Sequence, residues 1–488
     1  MNNTMIRFIL GQILRVEAAL LLLPCVTSLI YREAQGQMYL FVAALCLVSG
    51  LLMTTRKPKN TVFYLKEGCV ATALSWIFLS LFGCLPFVLT GEIPSFTDAL
   101  FETVSGFTTT GTSILPDIEA LSHTSLMWRS FTHWIGGMGV LVFLLAIVSL
   151  SGGSDMNLMR AESPGPSVEK LVPKIRSSAA ILYGIYFAMT ILEMILLACG
   201  GMPIFESIML AFGTAGTGGF AIKNDSLASA TAYQQWVITI FMILFGVNFN
   251  AYYLILFRKF KKAIRMEEVR YYLMIITVSI LIVFLHIRNI YGSIGISLRH
   301  AAFQVASIIT TTGFVTTDFD AWHENAKAVL LLLMFIGACA GSTGGGIKVS
   351  RIVLLFKSLF KELYNYIHPK NVRAIWFDKR PMEKSVVRST LVYFMTFMLL
   401  FFVSVFAITF EGYDFMTSFS SVAATINNIG PGMSLAGPTE NFAYFSVFSK
   451  YVFMFDMLVG RLELFPMLIL LYPGTWKELF PKGRSNPR

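Results

Sequence analysis

The feature that most constrains this chain is a series of apolar runs, each long enough to cross a lipid bilayer as a helix. A transmembrane helix needs about 20 apolar residues. Only 14 % of the 488 residues are charged, whereas a soluble protein carries roughly a quarter. The pattern predicts an all-α polytopic membrane protein. Ten spans are expected, near 6–30, 38–55, 69–90, 127–150, 178–200, 235–257, 271–291, 327–358, 388–410 and 445–472.

The basic residues are distributed unequally between the two sets of loops. Of the 38 Lys and Arg, 29 lie at Arg7, in the C-terminal tail or in the loops 54–67, 151–177, 258–270 and 348–388, whereas the opposite loops hold seven. Because cytoplasmic loops are enriched in Lys and Arg, both termini are predicted to be cytoplasmic. The net charge of +10 therefore reflects topology, and no nucleic acid partner is expected.

The loops on the less basic side contain one pattern four times, which indicates an internal repeat. The segments FTTTGTS, GTGGF, ITTTGF and INNIGPG align on Gly111, Gly219, Gly313 and Gly430. A short apolar or amphipathic stretch precedes each glycine, at 97–107, 204–213, 297–309 and 414–426. A further glycine follows in the next span, at Gly136, Gly246, Gly337 and Gly460.

This repeat predicts the organisation of the whole chain. An N-terminal two-helix unit at 1–66 precedes four pore repeats at 67–165, 166–265, 266–375 and 376–488. A stretch of ten residues forms about 15 Å of helix, which is half a bilayer, so each short stretch must re-enter and return. Non-helical backbone at that depth requires a protein-lined or water-filled cavity.

Four such loops around one axis could bind a cation. A ring of backbone carbonyl oxygens can replace the hydration shell of a permeating ion, and glycine adopts the backbone angles that such a strand needs. A single TTTG motif is more often a turn or a packing glycine. Four copies at matching positions favour a pore.

The four loops resemble the selectivity-filter loops of the Trk/Ktr/HKT superfamily of cation transporters over nearly the whole chain. The length and the two additional N-terminal spans are similar to the bacterial TrkH/TrkG branch. The resemblance implies potassium uptake, because the first loop carries Gly111 where some sodium-selective plant members carry serine. It also implies a filter at Thr109, Thr110, Gly111, Thr217, Gly218, Gly219, Thr311, Thr312, Gly313, Asn428, Ile429 and Gly430.

Within that implied filter, potassium would bind at Thr110, Gly111, Gly218, Gly219, Thr312, Gly313, Ile429 and Gly430. Two loops depart from the threonine-rich pattern. The second has Gly216 and Gly218 where others have Thr, and the fourth has Asn427 and Asn428. Selectivity is therefore expected to be less strict than in channels with four identical subunits.

A glycine cluster interrupts the span at 327–358. It includes Gly341, Gly344, Gly345 and Gly346 and is followed by Lys348. Three successive glycines do not sustain a helix, so a flexible intramembrane loop is predicted, and the resemblance implies that it is a gate. The segment also resembles a phosphate-binding loop, but Ile347 separates the glycines from the lysine and no strand precedes it.

Arg461 is a charged residue within the last predicted span. A charge there is costly and is by default a functional hypothesis. The alternative is a structural ion pair with Glu463 or Asp456. The resemblance implies an arginine that points into the pore and, with the glycine loop, forms the gate. Glu17 and Glu193 also lie in spans, and interhelical bonding is expected for both.

Acidic residues on the outer side have two interpretations. They are Asp98, Glu102, Asp117, Asp318, Asp320 and Asp414. An acidic vestibule would concentrate cations at the mouth of a pore, whereas ordinary solvated surface would have the same composition.

The predicted function is potassium uptake across a bacterial inner membrane, without enzymatic activity. No intrinsic cofactor is expected, and none of the six cysteines forms a CxxC motif. The resemblance implies a homodimer and a cytosolic TrkA-type regulatory ring that binds NAD(H) or adenine nucleotides. The alternatives are a sodium-permeable or sodium- or proton-coupled transporter of the same fold, a membrane-embedded enzyme, and a scaffold protein without a pore.

Overall fold

The computed structural model describes residues 1–56, 58, 64–139, 175–370 and 373–479. The described chain is almost entirely helical, which confirms the predicted class. One small hairpin interrupts the helices, in which Trp376–Phe377 pairs antiparallel with Arg380–Pro381.

Six helices in the described residues are long and apolar enough to cross a membrane, or seven if one bent pair counts as a span. The six are Asn3–Tyr31, Gly36–Thr54, Leu65–Thr90, Ala180–Cys199, Glu267–Ile287 and Lys384–Phe410. Their outer faces carry exposed apolar side chains such as Met395 (72 %) and Phe410 (83 %). An apolar surface of this extent requires lipid around it.

Some of these long helices contain a local break. The first consists of Asn3–Leu20 and Leu22–Tyr31, and the third of Leu65–Gly83 and Leu85–Thr90. Ala180–Cys199 is the apolar part of the helix Ile175–Cys199.

The N-terminal two helices cross closely, at a pair of glycines. A Cβ on Gly11 would lie 2.9 Å from the carbonyl oxygen of Gly50, and a Cβ on Gly50 would lie 2.7 Å from that of Gly11. Small residues at a crossing let two helix backbones approach within a membrane.

The four predicted short stretches are helices. They are Phe96–Phe107, Ile204–Gly216, Ile294–Ile309 and Phe415–Ile426, here called short helices 1 to 4. Ser95 and Asp414 cap the first and the fourth by accepting a hydrogen bond from a backbone N–H in the first turn. Such capping fixes where each helix starts.

Four helices lead back from the short helices and are called return helices 1 to 4. They are His123–Gly137, Ala232–Phe245, Glu324–Ile336 and Val447–Arg461. Two of the predicted spans contain a break. Return helix 2 bends by 91° into Phe249–Leu256, and return helix 4 is separated from Phe465–Leu471 by a break at 462–464.

The predicted interruption of the eighth span was confirmed. Return helix 3 ends at Ile336, and the helix Val349–Ile367 begins after the glycine cluster. The remaining helices are Phe260–Ile264 and Pro473–Leu479, with a single 3-10 turn at Ser434–Ala436. The predicted span 127–150 is helical as far as Gly137, and its residues 140–150 lie outside the described residues, as does the boundary between the first two pore repeats.

Candidate functional site

All four short helices end with the same pair of backbone hydrogen bonds. In the first, Thr109 N–H donates to Gly106 and Thr110 N–H donates to Ser105. The matching donors in the other three are Thr217 with Gly218, Thr311 with Thr312, and Asn428 with Ile429. This pattern is the Schellman helix end, which requires a left-handed residue and usually has glycine there.

The left-handed residue in these helix ends is never glycine. The φ angles are 54° at Thr109, 53° at Thr217, 59° at Thr311 and 55° at Asn428. A β-branched residue in this region is an outlier, and strain of this kind is retained where the surrounding structure imposes it. The sequence offered no signal for it, because a threonine run looks like extended backbone.

The predicted key glycines follow two residues later and are also left-handed. Their φ angles are 83° at Gly111, 79° at Gly219, 82° at Gly313 and 105° at Gly430. The backbone of each loop therefore changes hand twice within three residues. Only glycine adopts the second of these conformations at no steric cost.

The structure brings the four loops together in one closed ring. A Cβ on Gly111 would overlap the carbonyl oxygen of Gly218 in the second loop. In the same way, Gly219 faces the carbonyl of Thr312, Gly313 that of Ile429, and Gly430 that of Thr110. The order runs from loop 1 to loop 4 and back to loop 1, so the carbonyls that precede the key glycines all lie at adjacent positions around one axis.

The ring is not quite symmetric. At the first three junctions a Cβ on the glycine would overlap the neighbouring carbonyl, whereas a Cβ on Gly430 would lie 3.0 Å from the oxygen of Thr110. The junction between loops 4 and 1 is therefore the loosest of the four.

Threonine hydroxyl pairs lie behind loops 1 and 3. Thr108 and Thr110 are 2.8 Å apart between their hydroxyl oxygens, and Thr310 and Thr312 are 2.7 Å apart. All four side chains are fully buried. These pairs connect the two ends of each strand and brace it against the helix end.

Loop 4 has a different brace. The Asn428 amide donates to the Thr110 hydroxyl and to the carbonyl of Met457, both at 2.9 Å. This side chain therefore connects loop 4 to loop 1 and to return helix 4.

His133, on return helix 1, braces loop 2 and was missed by the sequence analysis. It is completely buried, its Nδ1 lies 2.8 Å from the carbonyl oxygen of Gly106, and its Nε2 accepts the N–H of Phe220 at 3.3 Å. A Cβ on Gly218 would overlap the imidazole ring. The glycines that stand in place of threonine in loop 2 thus leave room for His133. The sequence gave no signal for this contact, because a histidine on one face of a predicted helix does not indicate what it packs against.

A vestibule of about 180 Å³ lies beside the ring, and its lining includes all four key glycines. None of the six outer acidic residues considered above is part of that lining.

Glu102 is buried in an ion pair with Arg129 (2.6 Å), and Asp98 accepts a hydrogen bond from Lys450 (2.7 Å). Asp414 caps short helix 4, where hydrogen bonds from the hydroxyl and the N–H of Thr417 lower its pKa. Structural roles therefore account for Glu102, Asp98 and Asp414.

The glycine loop 337–348 packs directly against the ring. Gly345 N–H donates to the Thr311 hydroxyl at 2.6 Å, and a Cβ on Gly344 would lie 2.8 Å from the carbonyl oxygen of Thr310. The ammonium of Lys348 is buried and donates to the carbonyl of Gly344 within the same loop. Gly341 accepts from Phe249 N–H at 2.9 Å. The loop is thereby attached to the bend after return helix 2.

Arg461 forms no ion pair with the two acids proposed as alternatives. Its guanidinium donates to the carbonyls of Thr343 (2.8 Å) and Gly137 (2.7 Å). Glu463 instead pairs with Arg351, and Asp456 accepts from the Ser404 hydroxyl at 2.8 Å. Arg461 therefore connects the glycine loop to the end of return helix 1.

The expected interhelical bonding has a candidate partner for Glu193, the hydroxyl of Thr214 on short helix 2, and none for Glu17 among the described residues. Both side chains are fully buried. Neither carboxylate has a hydrogen-bond partner within 3.5 Å among the described residues, although Glu193 faces the hydroxyl of Thr214.

Comparison with known proteins gives a consistent result. The TrkH family model, described as a cation transport protein, matches residues 34–473. The Trk system potassium uptake protein TrkH of Salmonella typhimurium is 36 % identical over 481 residues, 96 % of this chain and 98 % of the relative. The protein TrkG of Escherichia coli is 31 % identical over 98 % of this chain and its own full length.

A solved structure has the same fold. The crystal structure of the potassium transporter TrkH from Vibrio parahaemolyticus superposes with a TM-score of 0.88 at 31 % identity, covering 98 % of this chain and 100 % of that one. Because the family model matches residues 34–473 and the relatives align over nearly the full length, this chain belongs to the TrkH family of cation transport proteins.

Proposed function

We propose that this protein takes up potassium across a bacterial inner membrane through the glycine ring. The closed order of the four loops carries this proposal, because it places a carbonyl oxygen from each loop at one axis. Carbonyl rings replace the hydration shell of a permeating cation. The TrkH and TrkG relatives are named as potassium uptake proteins, which supports potassium as the ion transported.

In this proposal, the ring is the selectivity filter. Potassium leaves the outer vestibule, loses water, and binds to carbonyl oxygens of the three-residue strands at 109–111, 217–219, 311–313 and 428–430. The C-terminal ends of the four short helices direct their partial negative charge toward the same region. Hydroxyl pairs, Asn428 and His133 hold the strands from behind.

The loop 337–348 and Arg461 form the proposed gate. The loop occupies the space next to the inner side of the ring, where Gly345 bonds to Thr311. Arg461 supplies a fixed positive charge there, which opposes cation passage. Opening would require the loop to release its bonds to the ring and to Arg461.

Regulation from the cytoplasmic side fits the surface at the opposite end of the molecule. A cavity of about 680 Å³ lies there, and its lining includes Lys259, Lys262, Arg265, Arg270 and Lys379 as well as the gate residue Ala340. A cytosolic ring that binds NAD(H) or adenine nucleotides would contact this surface, and both termini would lie on the same side. Assembly as a homodimer, with one pore in each chain, completes the proposal.

A sodium-permeable transporter is the second candidate, and one observation favours it. The loose junction at Gly430, next to an Ile429 that has no hydroxyl, would let the ring adapt to a smaller ion. Coordination by a deformable ring discriminates less well between ions.

Flux through the purified chain in liposomes tests both candidates. Potassium, sodium and pH gradients are applied one at a time, and uptake is compared with that of empty liposomes. The proposal expects potassium uptake that exceeds sodium uptake and needs neither a sodium nor a proton gradient. Equal uptake of the two ions would favour the second candidate, and no uptake of either would refute the pore.

A further inference from the structure

Return helices 1 and 4 each place a side chain behind the next loop of the ring. This position lies three residues before the glycine that follows each loop, and it is occupied by His133, Ile243, Met334 and Met457. Met457, for example, contacts the Thr112 hydroxyl of loop 1 through its sulfur. Among the side chains at these four positions, only His133 can both donate and accept a hydrogen bond.

The imidazole of His133 takes the space that threonine side chains fill in loops 1 and 3. A Cβ on Gly218 would overlap the ring atoms, and a Cβ on Gly216 would overlap the backbone carbonyl of His133. The equivalent residues of loop 1, Thr108 and Thr110, fill that space with a hydroxyl pair. The histidine side chain and Gly218 are therefore matched in size, whereas Gly216 lets the backbone of return helix 1 approach loop 2 closely.

The hydrogen bonds of His133 define its protonation state. Nε2 accepts the N–H of Phe220, so it carries no proton, and Nδ1 must then donate to the carbonyl of Gly106. The neutral ring thus connects the end of short helix 1 to the residue that follows Gly219. Both bonds lie in a fully buried site, where an unmade bond is costly.

Neighbouring side chains hold the imidazole in place. The Phe220 ring lies 4.1 Å from it, and the guanidinium of Arg129 lies 3.6 Å above the Phe220 ring. Arg129 also donates to the carbonyl of Ala221 at 2.7 Å and pairs with Glu102. Loop 2 is therefore fixed on the side facing repeat 1 by one connected buried cluster.

We propose that His133 is a positioning residue that sets ion discrimination at the second quarter of the filter. It acts through the backbone of loop 2, whose Gly218 carbonyl lies against Gly111 and whose Gly219 lies against the carbonyl of Thr312. A loop 2 without this brace would let the ring contract around the smaller sodium ion. This inference rests on the proposed filter function.

The test compares His133→Met with His133→Gln in liposomes. Methionine is the residue found at two of the equivalent positions; it cannot donate to Gly106 and its sulfur is only a weak acceptor, whereas a glutamine amide can donate and accept. The potassium-to-sodium flux ratio is expected to fall about tenfold in the Met variant, as loss of buried hydrogen bonds implies, and to stay within about threefold of wild type in the Gln variant. His300→Met is the control, because His300 is also buried but bonds to Thr316, outside the ring.

A size-exchange experiment addresses the same contact independently. Gly218→Thr alone places a side chain where the imidazole lies and should abolish potassium flux. Combining it with His133→Ala removes the overlap and should restore at least a measurable part of that flux. If the effects of the two substitutions on flux are not additive in this way, residues 133 and 218 are in direct contact.

Thermal melting gives a readout that does not depend on flux. In wild type, potassium should raise the melting temperature more than sodium does. This difference should be lost in His133→Met and kept in His133→Gln. The flux of the wild-type protein separately tests the proposed function. If wild type transports potassium but both variants keep its flux ratio and its ion-specific melting shift, the role of His133 is refuted. A double variant no more active than Gly218→Thr would refute the size match.

Discussion

Alanine substitutions of the key glycines should not be equally harmful, because the ring is asymmetric. Gly313→Ala and Gly430→Ala both introduce a Cβ at positive φ, 82° and 105°. That conformation costs an L-residue about 1–2 kcal/mol. The Cβ at 313 also overlaps the carbonyl oxygen of Ile429, and such overpacking adds about 1–3 kcal/mol.

The overlap term is much smaller at Gly430. Its Cβ would lie 3.0 Å from the Thr110 oxygen, so a small shift restores normal contact. We therefore expect Gly313→Ala to be destabilised by about 2–5 kcal/mol and Gly430→Ala by about 1–2 kcal/mol. In Gly313→Ala the shift also displaces a proposed potassium ligand, so flux and selectivity should change together.

Potassium and sodium flux in liposomes, with melting temperature measured on the same preparations, distinguishes these variants. Gly111→Ala and Gly219→Ala should behave like Gly313→Ala, since their Cβ atoms meet the same obstacle. Gly412→Ala is the control, because Gly412 is at positive φ with open space around it. Equal loss of flux and selectivity in Gly430→Ala and Gly313→Ala would show that carbonyl overlap is not the reason for these glycines.

Three further predictions concern the residues around the ring. Arg461→Ala should raise potassium flux, because a positive charge and its bonds to the glycine loop disappear; a fall in flux with unchanged melting temperature would argue against an electrostatic barrier. Thr311→Val should raise flux about three- to tenfold by removing the acceptor of the Gly345 N–H, whereas Thr109→Val, whose hydroxyl has no partner among the described residues, should not. Arg129→Gln should lower stability by about 3–5 kcal/mol, since it leaves the carboxylate of Glu102 buried and unpaired; an unchanged melting temperature would contradict this.

The sequence was sufficient to predict the helical class, the four short helices and the positions of the glycines that follow them. These features depend on local signals, namely helix-length apolar runs and glycines at fixed spacing. The predicted short stretch 414–426, for example, corresponds to the helix Phe415–Ile426.

Other features depend on contacts between distant segments, so local patterns do not contain them. Arg351 and Glu463 form an ion pair although 112 residues separate them. His133 meets Phe220 across two repeats, and the left-handed threonines are imposed by helix ends that pack in a ring. The 91° bend lies between Phe245 and Phe249, where the run contains one glycine and Asn248 caps the next helix, and one glycine is usually tolerated within a helix.

The gate proposal has an energetic consequence that links these long-range contacts to regulation. The loop 337–348 is attached by hydrogen bonds to the bend of return helix 2, to the carboxylate of Glu268, to Thr311 and to Arg461. At about 0.5–1.5 kcal/mol net for each bond, releasing this set costs several kcal/mol, so without an effector the loop is released in only a small fraction of molecules. A binding partner that favours the released loop can supply that amount, because an affinity ratio of about 100-fold already corresponds to 2.7 kcal/mol. The bend and Glu268 both border the basic cavity, so a partner bound there could act on the loop directly.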